Sequence, residues 1–333
     1  MRTFAGLSGC ERVNWPNDRP KSHRCSNSRP SYMTQSIAHA PGIDAVPETR
    51  SLGARSRTVA LSPHLDDAAL SAGGYLAGRI AEGAPASVVS FFTAGPELPT
   101  LAPKLRVFGD YSTRIREDDE AMGVLGVQAR RIGFHERIFR DPPLSRLIQV
   151  FRTPASANEF GKLDSVREVV LEILADEDVE LLAPLGVGNH VDHVEVAVAA
   201  LHAARACDAF DRVWFYEDFY ALSELARRRH PVTAQAPLDV RSAAGWASPI
   251  AGLRTECIAL FGRGPASTEL FDGDLVWTMH SESVDEQETT KLAAVEKYQT
   301  QTAELGGDRQ LRAMIRRAHS GRGGERFWSA RPR

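Results

Sequence analysis

The chain has 333 residues, of which 43% are hydrophobic and 25% charged, and its net charge is −3 at pH 7. These values are typical of a soluble globular protein and argue against a general nucleic-acid binder, which would be strongly basic. No apolar run approaches the roughly 18 residues that a membrane span requires. The four cysteines lack the close spacing of a metal or disulfide framework. We therefore expect a soluble, cytoplasmic protein.

The two ends of the chain differ from its middle. Residues 1–55 are rich in Ser, Pro, Asn and Arg and lack both a periodic apolar pattern and the apolar core of a signal peptide. We expect this segment to be disordered, unless Met33 is the true start and residues 1–32 are not part of the protein. A domain is expected over residues 56–308, followed by a basic tail over 309–333. This tail is expected to be solvated, although Phe327 and Trp328 could pack back onto the domain.

Strand and helix patterns alternate from Thr58 onward. Strands are predicted at 58–61, 87–93, 130–134, 179–183 and 212–216, and helices at 111–125, 165–175, 194–206 and 288–305, with a further helix directly after the first strand. This alternation predicts an α/β fold, a Rossmann-like, mostly parallel sheet with helices on both faces, in a single catalytic domain. The irregular region 221–287 is expected to supply long loops that cover the substrate.

One imidazole and two carboxylates follow the first strand. His64, Asp66 and Asp67 lie between the strand 58–61 and the helical pattern after it, and an open α/β sheet places its chemistry at the carboxyl ends of its strands. The two acids could simply cap the helix. However, His64 and Asp67 are three residues apart and can reach one point, and imidazole nitrogen and carboxylate oxygen are ordinary zinc ligands.

A second cluster, His190-Val191-Asp192-His193, follows the strand at 179–183. Because the carboxyl ends of parallel strands lie on one edge of a sheet, the two clusters are predicted to meet. The ligands His64, Asp67 and His193 would leave a tetrahedral zinc one open position for water, as in catalytic sites. The same ligands could also bind iron or another divalent metal. Asp66 and His190 are then close enough to act as base and acid.

These motifs together resemble those of a known family. Pro63-His64-Leu65-Asp66-Asp67 resembles the (Ala/Pro)-His-Pro-Asp-Asp signature of the PIG-L/LmbE-like zinc-dependent N-deacetylases, and the second cluster resembles that family's His-x-Asp-His. The helix around Arg114 and the segment Phe215-Tyr216-Glu217-Asp218 are also similar, so that the resemblance spans roughly residues 57–305. Leu65 replaces the usual Pro, Ala68 stands where many members have Glu, and Gly188 stands where some have Tyr.

The resemblance implies a role for each site residue. His64, Asp67 and His193 bind zinc, Asp66 is the general base, and His190 stabilises the oxyanion or protonates the leaving amine, with Asp192 orienting it. The implied enzyme is a hydrolase that removes an acetyl, or a larger acyl group, from the nitrogen of an N-acetylglucosamine-type conjugate.

Four further residues are predicted to contact the substrate. Arg114 either pairs with Glu117 or Asp118 at the surface or grips the substrate. Tyr216 lies in the core or lines a sugar pocket. Glu217 and Asp218 hold the histidine rings, bind substrate or are solvated. The predicted substrate-binding set is Arg114, Tyr216, Glu217 and Asp218.

Two alternatives remain open at the level of sequence. One is a zinc amidase that cleaves a thiol conjugate of an amino sugar. The other is a non-catalytic α/β module that holds a nucleotide or metabolite, but the glycine-rich run 73–78 falls inside the predicted first helix rather than in a phosphate-binding turn, and it favours close helix packing instead. The expected partner is a small N-acylated amino sugar, and a homo-oligomer is left open.

Overall fold

The strands of the described residues form one mixed sheet. The computed structural model describes residues 51–238, 274–303 and 305–333, with a few positions between 253 and 271. The strands are β1 (Arg57–Ser62), β2 (Ala86–Ser90), β3 (Gln128–Arg131), β4 (Val179–Pro184), β5 (Val213–Tyr216), β6 (Leu275–Glu282) and β7 (Glu325–Pro332). Their order is β3-β2-β1-β4-β5-β7-β6. The first five are parallel, and β7 pairs antiparallel with both β5 and β6.

Helices cover both faces of this sheet, which confirms the predicted fold class. The helices are α1 (Asp67–Ala81), α2 (Arg106–Gly109), α3 (Tyr111–Leu125), α4 (Leu163–Leu174), α5 (Val191–Ala206), α6 (Glu224–Arg229), α7 (Glu288–Val295), α8 (Gln299–Thr302) and α9 (Asp308–Arg322). Helices α4 and α5 pack on one face, and α1, α3 and α7 pack on the other.

The period of two in β1 produces these two layers. Val59 and Leu61 point to one apolar cluster, and Ala60 between them points to the other, because successive side chains of a strand face opposite sides of the sheet. All three are at least 95% buried. The strand is therefore covered on both faces, as expected for the centre of a parallel sheet.

The parallel pairing fixes where the chemistry lies. β1 pairs with β4, and β4 pairs with β5, with Pro184 opposite Tyr216 at the end of the ladder. The segments that follow these three strands therefore emerge at the same edge of the sheet. Both predicted clusters and the acids after β5 lie on those segments.

The prediction that residues 309–333 form a solvated tail is wrong. Residues 308–322 form the helix α9, whose side chains Leu311, Met314, Ile315 and Ala318 are buried in an apolar cluster. Their spacing of three and four residues is the amphipathic pattern that packs on a core. Strand β7 then inserts between β5 and β6, with Phe327 and Trp328 at most 1% exposed.

Two further predictions concern the irregular region 221–287 and the N-terminal segment 1–55. Region 221–287 was expected to be loop, yet residues 275–282 form β6, which completes the sheet beside β7. The predicted disorder of residues 1–55 lies almost wholly outside the described residues, which begin at 51. Among the described helices, none combines the length and the apolar composition needed to cross a bilayer.

The glycine-rich run lies in the interior of α1, as predicted. A Cβ on Gly74 would lie 2.7 Å from the Cβ of Val284, so only glycine permits this approach. The close contact also brings the carboxylate of Glu325 to the backbone N–H groups of Gly74 and Tyr75, at 2.9 and 2.8 Å. The run therefore serves packing and is not a phosphate-binding turn.

Candidate metal centre

The turn between β1 and α1 holds the first cluster in a fixed shape. The Ser62 hydroxyl donates to the His64 carbonyl and accepts the Ala68 N–H, at 2.5 and 3.0 Å. The His64 backbone N–H donates to Asp67 Oδ2 at 2.8 Å. Asp67 is the first residue of α1, where the helix dipole favours a negative charge. These bonds fix His64 and Asp67 on one side of the turn.

The turn between β4 and α5 holds the second cluster. Gly186, Gly188 and Asn189 all have positive φ, at 83°, 97° and 65°, a conformation that favours glycine and asparagine. Asp218, just beyond β5, accepts the N–H groups of Gly186 and Val187 at 2.6 and 2.9 Å. The segment after β5 thus fixes the turn that delivers His190 and His193.

Three atoms from the two clusters converge on one point. His64 Nδ1 lies 3.0 Å from Asp67 Oδ2, His193 Nε2 lies 3.2 Å from the same oxygen, and the two ring nitrogens are 3.3 Å apart. All three residues are at least 91% buried. The predicted meeting of the two motifs at one sheet edge is what the structure shows.

The far side of each ring contacts a carboxylate, which fixes the tautomer. His64 Nε2 lies 3.1 Å from Asp192 Oδ2, and His193 Nδ1 lies 2.6 Å from Asp218 Oδ1. Since an ionised carboxylate only accepts, these nitrogens carry protons. In the neutral rings His64 Nδ1 and His193 Nε2 then direct lone pairs at each other and at Asp67. Such a set of acceptors fits a bound cation, and carboxylate–histidine pairs of this kind support metal ligands.

Burial and neighbouring charges shift the pKa values of the three converging residues. Burial alone would lower the pKa of His193, but Asp67 and Asp218 raise it to about 9. Burial also opposes the charge on His64, whose pKa Glu136, Asp192 and Asp67 nevertheless raise well above its usual value. Burial would raise the pKa of Asp67, but His193 and His64 hold it well below its usual range. Metal binding at this cluster would therefore displace protons.

His190 lies beside the cluster and is held neutral. Burial and the positive charge of His64 lower its pKa well below the usual value. Its Nδ1 accepts the Asp192 backbone N–H at 3.3 Å, so that it caps α5. In the neutral ring the proton is therefore on Nε2, which makes that nitrogen a hydrogen-bond donor. Together with His64 and His193, His190 forms a buried group whose ligand atoms lie within 4.8 Å of one another.

Asp66 is placed as the N-cap residue of α1, with its side chain making no capping hydrogen bond. Burial and the charge of Asp67 raise its pKa to about 6, although Arg114 and His64 act in the opposite direction. The alternative that Asp66 merely caps the helix is therefore not what the structure shows. A carboxyl group with such a pKa can take up and release a proton near neutral pH.

Asp192 supports His64 more directly than His190. Its Oδ2 lies 3.1 Å from His64 Nε2 but 4.0 Å from His190 Nδ1. The same carboxylate accepts the Arg137 backbone N–H at 2.9 Å and pairs with Arg140. The contact with His190 is instead made by the Asp192 backbone N–H. The predicted orienting role of Asp192 thus falls on a different histidine.

The surface reading of Arg114 is wrong, and its predicted contact with substrate stays a prediction. Its side chain is buried and donates to Glu136 Oε1 at 2.5 Å and to the Phe108 carbonyl at 2.9 Å. It therefore neither pairs with Glu117 or Asp118 at the surface nor extends its guanidinium into solvent. Glu136 lies two residues after a predicted strand, the position from which sheet edges supply functional acids, but it stands in an irregular stretch and was missed.

Tyr216 and Glu217 are structural rather than substrate-facing. Tyr216 is fully buried, and its hydroxyl donates to the Leu61 carbonyl at 2.8 Å. Glu217 accepts from Nε and Nη2 of Arg227, both at 2.9 Å, and from Trp328 Nε1 at 3.1 Å. Asp218 holds the His193 ring, which was one of the predicted alternatives. Of the four predicted substrate contacts, therefore, Tyr216, Glu217 and Asp218 are held by other groups of the protein.

We expect Glu217→Gln to destabilise the fold by about 1.5–3 kcal/mol, because it removes the more buried of the two carboxylates that pair with the Arg227 guanidinium, the other being Glu224. Burial would raise the pKa of Glu217, but Arg227 lowers it. The stabilisation is therefore present above the ordinary carboxyl pKa and is lost as the pH falls through the lowered value. Denaturant unfolding of wild type and variant between pH 7 and pH 3 measures both effects.

Glu172→Gln is the matched control, because Glu172 pairs with Arg130 with side chains 64% and 44% exposed. An exposed pair contributes at most about 1 kcal/mol. Equal losses from the two variants would show that the Glu217 pair does not stabilise the fold.

An aromatic pair, Phe151 and Tyr220, borders the cluster. The ring of Tyr220 packs edge-on to His193 and to Phe151, with centroids 5.8 and 5.7 Å apart, and Phe151 packs edge-on to His190 at 5.3 Å. A Cβ on Gly188 would lie 2.5 Å from the Tyr220 Cβ. The absence of a side chain at Gly188, noted as a departure from some relatives, is what admits Tyr220.

Comparison with known proteins finds a similar family. Residues 59–204, which include both clusters, match the family described as PIG-L, GlcNAc-PI de-N-acetylase. This confirms the resemblance seen in the two motifs.

The proteins similar to this chain fall into two groups. A 2'-N-acetylparomamine deacetylase of Streptomyces fradiae is 32% identical over 147 residues, 43% of this chain and 50% of the relative. The chain thus spans about half the length of this curated relative. The crystal structures of the A40926 pseudoaglycone deacetylase Dbv21 and of a zinc-inhibited form of teicoplanin deacetylase Orf2 give TM-scores of 0.57 and 0.58 at 22% identity. The two alignments cover 84% and 83% of this chain and 98% of the other chain in each case. They show that the fold is shared.

Proposed function

We propose that the chain is a zinc-dependent hydrolase that removes the acetyl group from the nitrogen of an amino-sugar conjugate. The observation that carries this proposal is the convergence of His64 Nδ1, Asp67 Oδ2 and His193 Nε2, with Asp66 and His190 beside them. The match to a de-N-acetylase family and to a deacetylase of an N-acetylated aminoglycoside supports the same chemistry.

The proposed ligands are His64, Asp67 and His193. Zinc bonds of about 2.0–2.2 Å in a tetrahedral arrangement separate the ligand atoms by roughly 3.4 Å, and the three observed separations are 3.0, 3.2 and 3.3 Å. His190 is the competing third ligand. The carboxylate of Asp67 is favoured because the outward nitrogen of neutral His190 carries a proton and cannot coordinate an ion.

A zinc ion held there supplies Lewis acidity, lowering the pKa of a water molecule and polarising an acyl carbonyl. Asp66, with a pKa of about 6, is mostly ionised at pH 7 and accepts the proton of the attacking water. His190 Nε2–H donates a hydrogen bond to the oxyanion that develops on the acyl oxygen. Protonated Asp66 then gives its proton to the amine nitrogen as the C–N bond breaks, leaving acetate and a free amine.

The neutral state of His190 favours one of its two predicted roles. Burial lowers its pKa well below the usual value, so the ring is a poor source of a proton at pH 7 but a competent hydrogen-bond donor. We therefore assign oxyanion stabilisation to His190 and the proton transfer to Asp66. A cytoplasmic location and a homo-oligomer stay predictions.

The deciding experiment measures metal content and amine release on the same preparation. We expect about one zinc per chain and release of free amine from 2'-N-acetylparomamine or another N-acetylglucosamine-type conjugate, abolished by a chelator and restored by zinc. Zinc should be titrated upward from below one equivalent, because a relative is described in a zinc-inhibited form. Full amine release from metal-free protein would contradict the proposal, as would zinc-loaded protein that releases amine from no N-acetylated amino sugar.

A further inference from the structure

A second polar cavity lies at the same edge of the sheet, on the other side of Asp218 from the metal cluster. It is formed where α1, the segment after β5, α7, the end of α9 and the start of β7 come together. Its cationic and hydroxyl-bearing wall residues are Ser71, Lys291, His319, Arg322 and Arg326. The proposed hydrolysis does not use these side chains.

The carboxylates in this wall already have their hydrogen-bond donors. Glu217 is held by two nitrogens of Arg227 and by Trp328. Glu325 accepts from two backbone N–H groups of α1 and pairs with Lys291 Nζ at 2.6 Å. Asp218 is held by His193 and by the β4–α5 turn. These hydrogen bonds of the acids thus all come from groups other than Arg322, Arg326 and Ser71.

Several buried donors of the wall, in contrast, lack a partner. Within the described part of the chain, Ser71 Oγ, Arg322 Nε and Arg326 Nε are buried and make no hydrogen bond. The Arg322 side chain is 7% exposed. Its Nη2 donates to the Ala221 carbonyl at 2.5 Å, but its Nη1 approaches Glu217 Oε2 only to 3.8 Å. Burying a guanidinium with an unpaired N–H is unfavourable unless a ligand accepts from it.

The electrostatics of Arg322 agree with this geometry. Burial and the charges of Arg227 and Arg326 lower its pKa to about 10, in spite of the attraction of Glu217. Burial and Arg227 likewise lower the pKa of Arg326, against the attraction of Glu217. The two guanidinium groups are thus under-compensated by the acids around them, and a bound negative charge would relieve their mutual repulsion.

We propose that this cavity binds a small oxyanion, a phosphate or carboxylate group, held by Arg322, Arg326 and the Ser71 hydroxyl. Guanidinium groups are suited to such ligands because they present paired, always-charged donors. The anion is either a free ion or an anionic group on the amino-sugar conjugate. The second source rests on the proposed function, and the first does not.

Titration of the full chain with inorganic phosphate, with the heat of binding measured by calorimetry, tests the proposed site. We expect saturable binding that Arg322→Gln and Arg326→Gln each weaken at least about tenfold. Arg317→Gln, which removes the same charge from an exposed position of the same helix, should bind like wild type. Arg326→Gln guards against a folding defect in the more buried Arg322→Gln, and melting curves confirm that each variant is folded.

Several outcomes would overturn the site. One is no phosphate binding at millimolar concentrations, and another is wild-type affinity in both folded variants, Arg322→Gln and Arg326→Gln. A third is binding that a chelator abolishes, which would place phosphate at the metal cluster. A kinetic arm separates the two sources of the anion. If the substrate supplies the anion, Arg322→Gln raises KM for an anionic N-acetyl conjugate at least tenfold and leaves KM for a neutral conjugate unchanged. If the anion is a free ion, Arg322→Gln leaves both KM values unchanged and loses only phosphate binding. The binding arm is independent of deacetylation, so failure of the proposed function would leave it interpretable.

Discussion

Asp66→Asn is expected to lower kcat by about 10²–10⁴, the usual contribution of a positioned proton-transfer group, while metal content stays at the wild-type level. The asparagine keeps the size of the side chain but cannot accept the proton of water or return it to the amine. Because Asp66 is not one of the three converging ligand atoms, the metal should be retained. Steady-state amine release and metal analysis of the same sample measure the two quantities.

Asp164→Asn is the matched control, since the Asp164 side chain is 84% exposed at the start of α4. It should leave both quantities unchanged. A wild-type kcat in Asp66→Asn would remove Asp66 from the mechanism. Loss of the metal together with activity would instead make Asp66 a ligand and displace Asp67 from the proposed set.

His193→Ala and Asp218→Asn are expected to weaken zinc binding in a graded way. Loss of the His193 ring removes one of three ligands and should raise the zinc Kd by more than about 100-fold, with activity lost in parallel. Asp218→Asn leaves the ring in place but replaces the carboxylate 2.6 Å from His193 Nδ1, which should cost about 10–100-fold in affinity. Competition against a chromophoric zinc chelator measures both values.

An exposed histidine supplies the control for this series. His135→Ala changes a residue outside the cluster and should bind zinc like wild type. Zinc affinity unchanged in His193→Ala would favour a site built without that ring. An Asp218→Asn loss equal to that of His193→Ala would mean that Asp218 acts through the shape of the β4–α5 turn, whose N–H groups it also accepts.

The sequence predicted the convergence of the two motifs because one topological rule determines it. Residues that follow β1 and β4 must meet once those strands pair in parallel, whatever the loops do. The same rule placed Asp218, on the segment after β5, within reach of His193. The helix bounds 111–125 were also predictable, because Asp110 caps the start and Gly126 ends the helix in the left-handed conformation.

Contacts made by irregular segments were beyond the sequence. Glu136 and Phe151 stand in a stretch without apolar periodicity, so nothing in the local pattern indicates that they contact Arg114 and His190. The sequence offered helical neighbours or the substrate as partners of Arg114, whereas Glu136, its partner in the structure, comes from another segment. Pairing between distant loops depends on how the whole chain packs, which a one-dimensional pattern does not contain.

The position of β7 has a consequence for the order in which the molecule is assembled. This strand comes last of the seven in the chain, yet it lies between β5 and β6, and its Trp328 contacts the Glu217 that precedes Asp218. During synthesis β5 therefore keeps an unpaired edge until residues 325–332 have left the ribosome. Only then can Trp328 contact Glu217, the neighbour of the Asp218 that holds the His193 ring. A ribosome-bound nascent chain lacking β7 should therefore be protease-sensitive and unable to hold zinc tightly.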